Sequence, residues 1–290
     1  MHFDDYRERF DSVHMERRNR VLEMRLHTRG WDSDAVEIGD AIFKFPKRPE
    51  AIARLRKEAG LLALLGPRVP LAVPDMRLHE TPRLFSEHVK IPGDIIEAAA
   101  YEALDGARQQ AMAEALAAFY AALHAIPVVE AVAAGADPKP EWPATGAILP
   151  ILADRLPAAL GAFAKSCFAA YEAMPAEDDV FGYFDGHGWN MAFDHERGVL
   201  NGVYDFADAG IGPRSRDFTY SNLTSGHLTD RLLAAYERRT GRVIDRRVVA
   251  VRTAVQMLAE LAEPDAEIER FTATLVRWHH HMQSRPELRV

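Results

Sequence analysis

Asp185 and Asn190 stand five residues apart in the segment Phe184-Asp185-Gly186-His187-Gly188-Trp189-Asn190, and Asp205 follows in Tyr204-Asp205-Phe206. Two carboxylates and an amide in this order suit phosphoryl transfer, where the protein mainly positions groups and neutralises charge. One carboxylate can orient a hydroxyl and accept its proton. The other, with the amide, offers the hard oxygen ligands that hold Mg²⁺ against phosphates. Two more residues fit upstream. Lys44 lies in the alternating run Ala41-Ile42-Phe43-Lys44-Phe45, and Glu58 lies in the helical pattern after it. A strand-borne lysine grips phosphates and a helix-borne glutamate fixes that lysine. Singly, these residues have ordinary explanations: a turn aspartate, a solvated lysine, a surface glutamate. Their order along the chain is what makes them informative together.

The elements that must position them follow from periodicity. Ala35–Ile38 and Ala41–Phe45 read as two strands joined through Gly39-Asp40, and Pro46 and Pro49 stop the second. Ile52, Leu55, Ala59, Leu62 and Leu65 recur at helical spacing until Gly66-Pro67. Val73–His79 and Leu84–Val89 read as further strands, and Ile91-Pro92-Gly93 as a connector. Beyond it the pattern is mainly helical, with an apolar stripe from Met112 to Leu123, a loop expected over Val129–Gly146 and a helical region over Ile148–Met174. Strand patterns return at Val180–Phe184, Met191–Phe193 and Val199–Phe206, and the last two are joined by a hairpin turn at Asp194–Gly198. Val248, Val251, Val255, Leu258 and Leu261 mark a C-terminal helix. A charged, amphipathic helix is expected over Phe3–Leu22. The fold expected is α+β and two-lobed: a strand-rich N-lobe over residues 1–91 and a mainly helical C-lobe over 92–290.

Composition narrows the function classes. The 290 residues are 48% hydrophobic and 27% charged, enough to bury a core. The net charge of -8 argues against a nucleic-acid partner. The single cysteine, Cys167, allows neither an internal disulfide nor a thiolate-only zinc site. There is no apolar signal run at the start and no apolar stretch near the ~20 residues that cross a bilayer, so a soluble cytoplasmic protein is expected. His279-His280-His281 is a weak metal motif, because adjacent helix positions point in different directions.

Several segments resemble the aminoglycoside phosphotransferase family, a branch of the protein-kinase-like fold. Gly30–Ile38 followed by Phe43-Lys44-Phe45-Pro46-Lys47 resembles the N-lobe of the 2″-aminoglycoside phosphotransferases. Leu71-Ala72-Val73-Pro74, Lys90-Ile91-Pro92-Gly93, Asp185–Asn190 and Asp205–Ala209 with Gly212-Pro213 and Asp217-Phe218 resemble later family segments. The resemblance implies ATP or GTP as phosphate donor, Mg²⁺ as cofactor and a small-molecule acceptor. It implies Asp185 as catalytic base, Asn190 and Asp205 as metal ligands, Lys44 on the nucleotide phosphates and Glu58 pairing with Lys44. Backbone groups of His88, Val89, Lys90 and Ile91 would receive the purine, and Asp217 would brace the catalytic loop.

The chain departs from the family in three places. Tyr183 stands where the family carries His, two positions before the catalytic Asp. The candidate phosphate-covering turn, Gly30-Trp31-Asp32-Ser33-Asp34, has one glycine and two acids. The stretch Thr219–His227 carries no acidic residue, and the next is Asp230; Glu260, Glu263, Asp265, Glu267 and Glu269 supply negative charge later. That stretch lacks the clustered carboxylates by which the family receives polycations, so an aminoglycoside is the first acceptor expected only by analogy with the family the chain resembles. A kinase of choline, homoserine, a sugar or a macrolide, and a nucleotide-binding pseudokinase, are the alternatives. Trp189 is the tryptophan best placed to line the site.

Overall fold

The computed structural model describes residues 24–27, 32–81, 83–142, 144–264 and 266–290. The helix expected over Phe3–Leu22, the residues Gly30 and Trp31 of the covering turn, and Asp265 lie outside them. The N-terminal part is a five-stranded antiparallel sheet in the order β1-β2-β3-β5-β4, made of β1 (Met24–His27), β2 (Ser33–Ile38), β3 (Ala41–Pro46), β4 (Arg77–His79) and β5 (Phe85–Val89). One face buries Val36, Ile38, Phe43, Phe45 and Phe85 in a small core of its own. Strand alternation sends Lys44 to the opposite face, where it stands across from Ser86 of β5.

Helix α1 (Pro49–Leu65) follows β3, with Pro49 in the first turn, where no amide hydrogen is needed. It buries Ala51, Leu55, Glu58, Leu61, Leu62 and Leu65, while Ile52 stays 38% exposed. The buried stripe is thus rotated from the one expected, and a carboxylate replaces an apolar residue on it. Leu61, Leu62 and Leu65 join the main core of the helical part, with Met112, Phe119, Tyr120, Phe181, Phe193 and Phe206. Burying each such side chain contributes about 1.5–3 kcal/mol, so α1 is anchored to both parts.

The helical part comprises α2 (Ala98–Glu102), α3 (Gly106–His124), α4 (Val128–Ala133), α5 (Thr145–Arg155), α6 (Ala158–Glu172), α7 (Arg214–Asp217), α8 (Ser221–Thr224), α9 (Gly226–Thr240), α10 (Arg246–Ala262) and α11 (Ile268–Ser284). Two antiparallel ribbons are set among them: β6 (Asp179–Gly182) pairs with β9 (Gly210–Pro213), and β7 (Met191–Asp194) with β8 (Val199–Val203). No described helix is long and apolar enough to cross a membrane.

Three expectations need correction. The strand expected over Val73–His79 shrinks to Arg77–His79, because Pro74 lacks an amide hydrogen and Ala72 bonds elsewhere. Ala72 N donates to Asn201 O and Val203 N donates to Ala72 O, tying this segment to the β7–β8 ribbon. The loop expected over Val129–Gly146 contains α4. The helical region Ile148–Met174 is two helices, α5 and α6, since Leu156 before Pro157 is held extended at φ -93° and ψ 144°.

Candidate active site

Lys44 on β3 reaches a charged cluster at the base of a cleft of about 430 Å³. Its ammonium lies 2.9 Å from Glu58 Oε1 and 3.2 Å from Asp205 Oδ1. Glu58 is 2% exposed, and its Oε1 also accepts the Phe206 amide hydrogen at 3.1 Å. A buried carboxylate needs such partners. Burial lifts the Glu58 carboxyl. Burial opposes the charge on Lys44, but Asp205 and Glu58 outweigh it and hold the ammonium protonated well above the usual lysine range. Asp205 has a positive φ of 66°, a conformation that costs a non-glycine residue roughly 1–3 kcal/mol. The turn leaves its carboxylate about half exposed to the cleft.

Asp185 enters the same cleft from the loop after β6. The residue before it, Phe184, also has a positive φ, 53°. Asn190 Nδ2 donates to Asp185 Oδ2 at 2.6 Å, and His187 Nε2 lies 3.1 Å from Asp185 Oδ1. Burial raises the Asp185 carboxyl above the usual range, while His187 pulls it back. The loop is braced from behind. Asp217, fully buried, accepts the amide hydrogens of Tyr183 at 2.9 Å and Phe184 at 2.6 Å. Tyr183 donates its hydroxyl to Tyr204 O and stacks on Phe206 at 4.5 Å. Tyr183 thus links the loop to the segment carrying Asp205.

Behind Asp217 lies His124, the last residue of α3, with its Nε2 3.0 Å from Asp217 Oδ2 and its Nδ1 3.0 Å from the Tyr236 hydroxyl. A carboxylate only accepts, so Nε2 carries the proton toward Asp217. Burial lowers the His124 pKa despite Asp217, so the neutral ring accepts from Tyr236, whose oxygen accepts from Arg214 at 2.9 Å. Asp217 is visible from the family resemblance, whereas nothing in the sequence points to Tyr236 or Arg214. For His124 the only local signal is a histidine closing an apolar helical stripe.

The residues present fit a magnesium ion. Mg²⁺ is commonly held by one or two carboxylates plus substrate phosphates, without an all-protein cage. Among the described residues there is no cluster of three or more His, Cys, Asp or Glu that could enclose a metal. Asn190 spends its amide hydrogens on Asp185, which leaves its carbonyl oxygen for a cation. Tyr204 N donates to Asn190 O at 3.0 Å, bringing Asn190 beside the residue that precedes Asp205.

The other expected site residues fall as follows. His88 is buried, faces Ile42 across the sheet and is pushed down to about 4 by burial and then by Lys44, so its ring is neutral. Val89 is 67% exposed, and Lys90 pairs with Glu37 at 2.9 Å. Neither these three nor Ile91 line the cleft around Lys44. Cys167 is a buried core residue, its thiol pushed up to about 12 by burial.

The loop tolerates no side chain at Gly188, where a Cβ would lie 1.9 Å from the carbonyl oxygen of Ile96. Backbone cannot yield cheaply, so Gly188→Ala is expected to lose about 1–3 kcal/mol of stability. Denaturant unfolding measures this, and a wild-type midpoint would contradict the tight packing.

Known proteins share this fold. The aminoglycoside 2'-phosphotransferase-IIIa in its GDP complex superposes with a TM-score of 0.75 at 20% identity, covering 94% of this chain and 98% of that one. A macrolide 2'-phosphotransferase from Brachybacterium faecium gives 0.66 at 21%, covering 92% and 97%. The streptomycin-ATP-APH(2")-IIa ternary complex gives 0.67 at 16%, covering 100% and 99%. At these identities the likeness is one of fold. No curated protein sequence matches the chain. The profile of the APH phosphotransferase enzyme family matches residues 23–252. That span holds Lys44, Glu58, Asp185, Asn190, Asp205 and Asp217, and the chain belongs to that family as a small-molecule kinase.

Proposed function

We propose that the protein transfers the γ-phosphate of ATP or GTP to a hydroxyl of a small molecule, with an aminoglycoside-type antibiotic as the leading acceptor and drug resistance as the consequence. The observation that carries the reading is Lys44 held between Glu58 and Asp205 in a cleft that Asp185 also enters. In this reading the sheet with α1, residues 1–91, receives the nucleotide, and residues 92–290 receive the acceptor. The backbone of His88 to Ile91 takes the purine. Asn190 and Asp205 hold Mg²⁺, which would neutralise phosphate charge when bound.

The chain's own groups do the rest. Lys44, kept charged by two carboxylates, neutralises the phosphates without moving. Asp185 accepts a hydrogen bond from the acceptor hydroxyl and takes its proton, while Asn190 fixes the orientation of its carboxylate. The cationic acceptor class rests on the acidic surroundings of Asp185. Glu260 has its carboxyl raised by desolvation and then by the negative charges of Glu263, Asp185 and Asp208. These carboxylates compensate for the missing acids of Thr219–His227.

The test is Mg²⁺-dependent release of ADP or GDP with a panel of aminoglycosides, macrolides, choline, homoserine and sugars. Stimulation by an aminoglycoside supports the full reading. Stimulation by another acceptor keeps the kinase and removes the antibiotic class. Because burial raises Asp185 and the base must be ionised, turnover is expected to climb with pH through an apparent pKa above the ordinary carboxylate range. A kcat profile flat down to about pH 4 would contradict Asp185 as base.

A further inference from the structure

Trp189 sits in the loop that carries Asp185, and its ring is held in place. Its carbonyl oxygen accepts the Tyr204 hydroxyl at 2.8 Å, and the preceding Gly188 N donates to Thr224 Oγ1 at 2.9 Å. Its ring meets the His187 ring edge-on at 4.8 Å, and His187 in turn touches Asp185. The indole is thus one side chain removed from the proposed base. A guanidinium occupies its face: the Arg270 Cζ lies 4.1 Å from the ring centroid.

The other contacts of Arg270 are weak: the Phe271 ring is 6.0 Å away, at the outer limit of a cation–π contact. Its ion pair with Glu267, at 3.0 Å, lies between two exposed side chains of the same chain segment. Arg270 belongs to the first turn of α11, where the helix dipole disfavours a cation. An exposed cation–π contact and an exposed ion pair are both weak, so a dissolved cation can compete for the ring.

We propose that the face of Trp189 is the cation subsite of the acceptor site, and that Arg270 is its resident occupant, displaced when a protonated amine of the acceptor arrives. The inference rests on the kinase reading above and names the acceptor as cationic. Arg270 then acts as a specificity-determining residue: every cationic acceptor must exchange with it, and a neutral acceptor gains nothing from Trp189.

The sign of one substitution tests this. Kanamycin is titrated calorimetrically into the full-length protein, wild type and variants, after saturation with ADP or GDP and Mg²⁺. Arg270→Ala is expected to tighten kanamycin binding roughly twofold to fivefold, the strength of one exposed cation–π contact. Trp189→Leu alone is expected to change it little, because the exchange trades one ring contact for another. In the Arg270→Ala background Trp189→Leu is expected to weaken binding by the same roughly twofold to fivefold, and Trp189→Phe there to recover part of that loss. In turnover the effects appear in KM. Weaker or unchanged binding by Arg270→Ala overturns the exchange, since an arginine that contacts an anionic or hydroxylic acceptor would give that result. Absence of kanamycin binding in every variant also overturns it. The nucleotide titration that precedes each run separates the two readings: if ADP and GDP bind, only the cationic subsite fails, and if neither binds, the kinase reading fails with it.

Discussion

Asp185→Asn is expected to lower kcat by roughly 10²–10⁴-fold, the usual worth of a positioned general base, while leaving nucleotide affinity within about twofold. The asparagine preserves size and still accepts from Asn190 Nδ2 through its carbonyl oxygen, so the loop keeps its shape. It cannot take a proton. The substitution also removes a carboxyl that burial already disfavours, so stability should stay level or rise. A variant retaining wild-type kcat would remove Asp185 from the chemistry, and one that failed to bind nucleotide would point to structural damage instead. Stopped turnover measurements with parallel nucleotide titration distinguish these outcomes.

The second large effect is expected at Lys44. Lys44→Met should reduce kcat by roughly 10²–10³-fold, as loss of one preorganised charge-stabilising group does. It should also cost stability, because Glu58 is left 2% exposed without its cation. Breaking a buried ion pair from one side costs about 3–5 kcal/mol. The double variant Lys44→Met/Glu58→Gln should regain much of that stability, since a neutral amide needs no counter-ion and its oxygen can still accept from Phe206 N. It should not regain activity. Chemical denaturation of the two variants separates the contributions. Equal stability of the single and double variants would mean that the pair is not coupled.

Much of this site could be read from residue order, for identifiable reasons. β3 alternates Phe43, Lys44 and Phe45, so the strand period alone places Lys44 opposite the small core. The helical period found α1 and its end at Gly66, but placed Ile52 inside. Hydrophobicity could not foresee that pairing with Lys44 would turn Glu58 inward and leave Ile52 toward solvent. The hairpin between β7 and β8 was legible from its turn residues, and it sets Asn190 against Tyr204, the residue before Asp205.

The illegible parts are held by partners distant in sequence. Asp217 is braced by His124 across 93 positions and Tyr236 joins His124 across 112. No local period carries that information. β9 is four residues, two of them glycine, so it has no strand pattern until β6 lies beside it. The placement of Arg270 on Trp189 likewise depends on how α11 packs, and a charged residue in a first helical turn reads as solvent-facing until the ring appears beneath it.

The central claim is that the Lys44–Glu58–Asp205 cluster and Asp185 form a working phosphotransfer site. It is tested most directly by ³¹P NMR of the protein with Mg²⁺, ATP or GTP and the acceptor that best stimulates nucleotide consumption. Growth of a phosphomonoester resonance on the acceptor, matched mole for mole by ADP or GDP and abolished in Asp185→Asn, is the result expected. Nucleotide breakdown that yields only inorganic phosphate, or an ester that forms equally fast in Asp185→Asn, would contradict it.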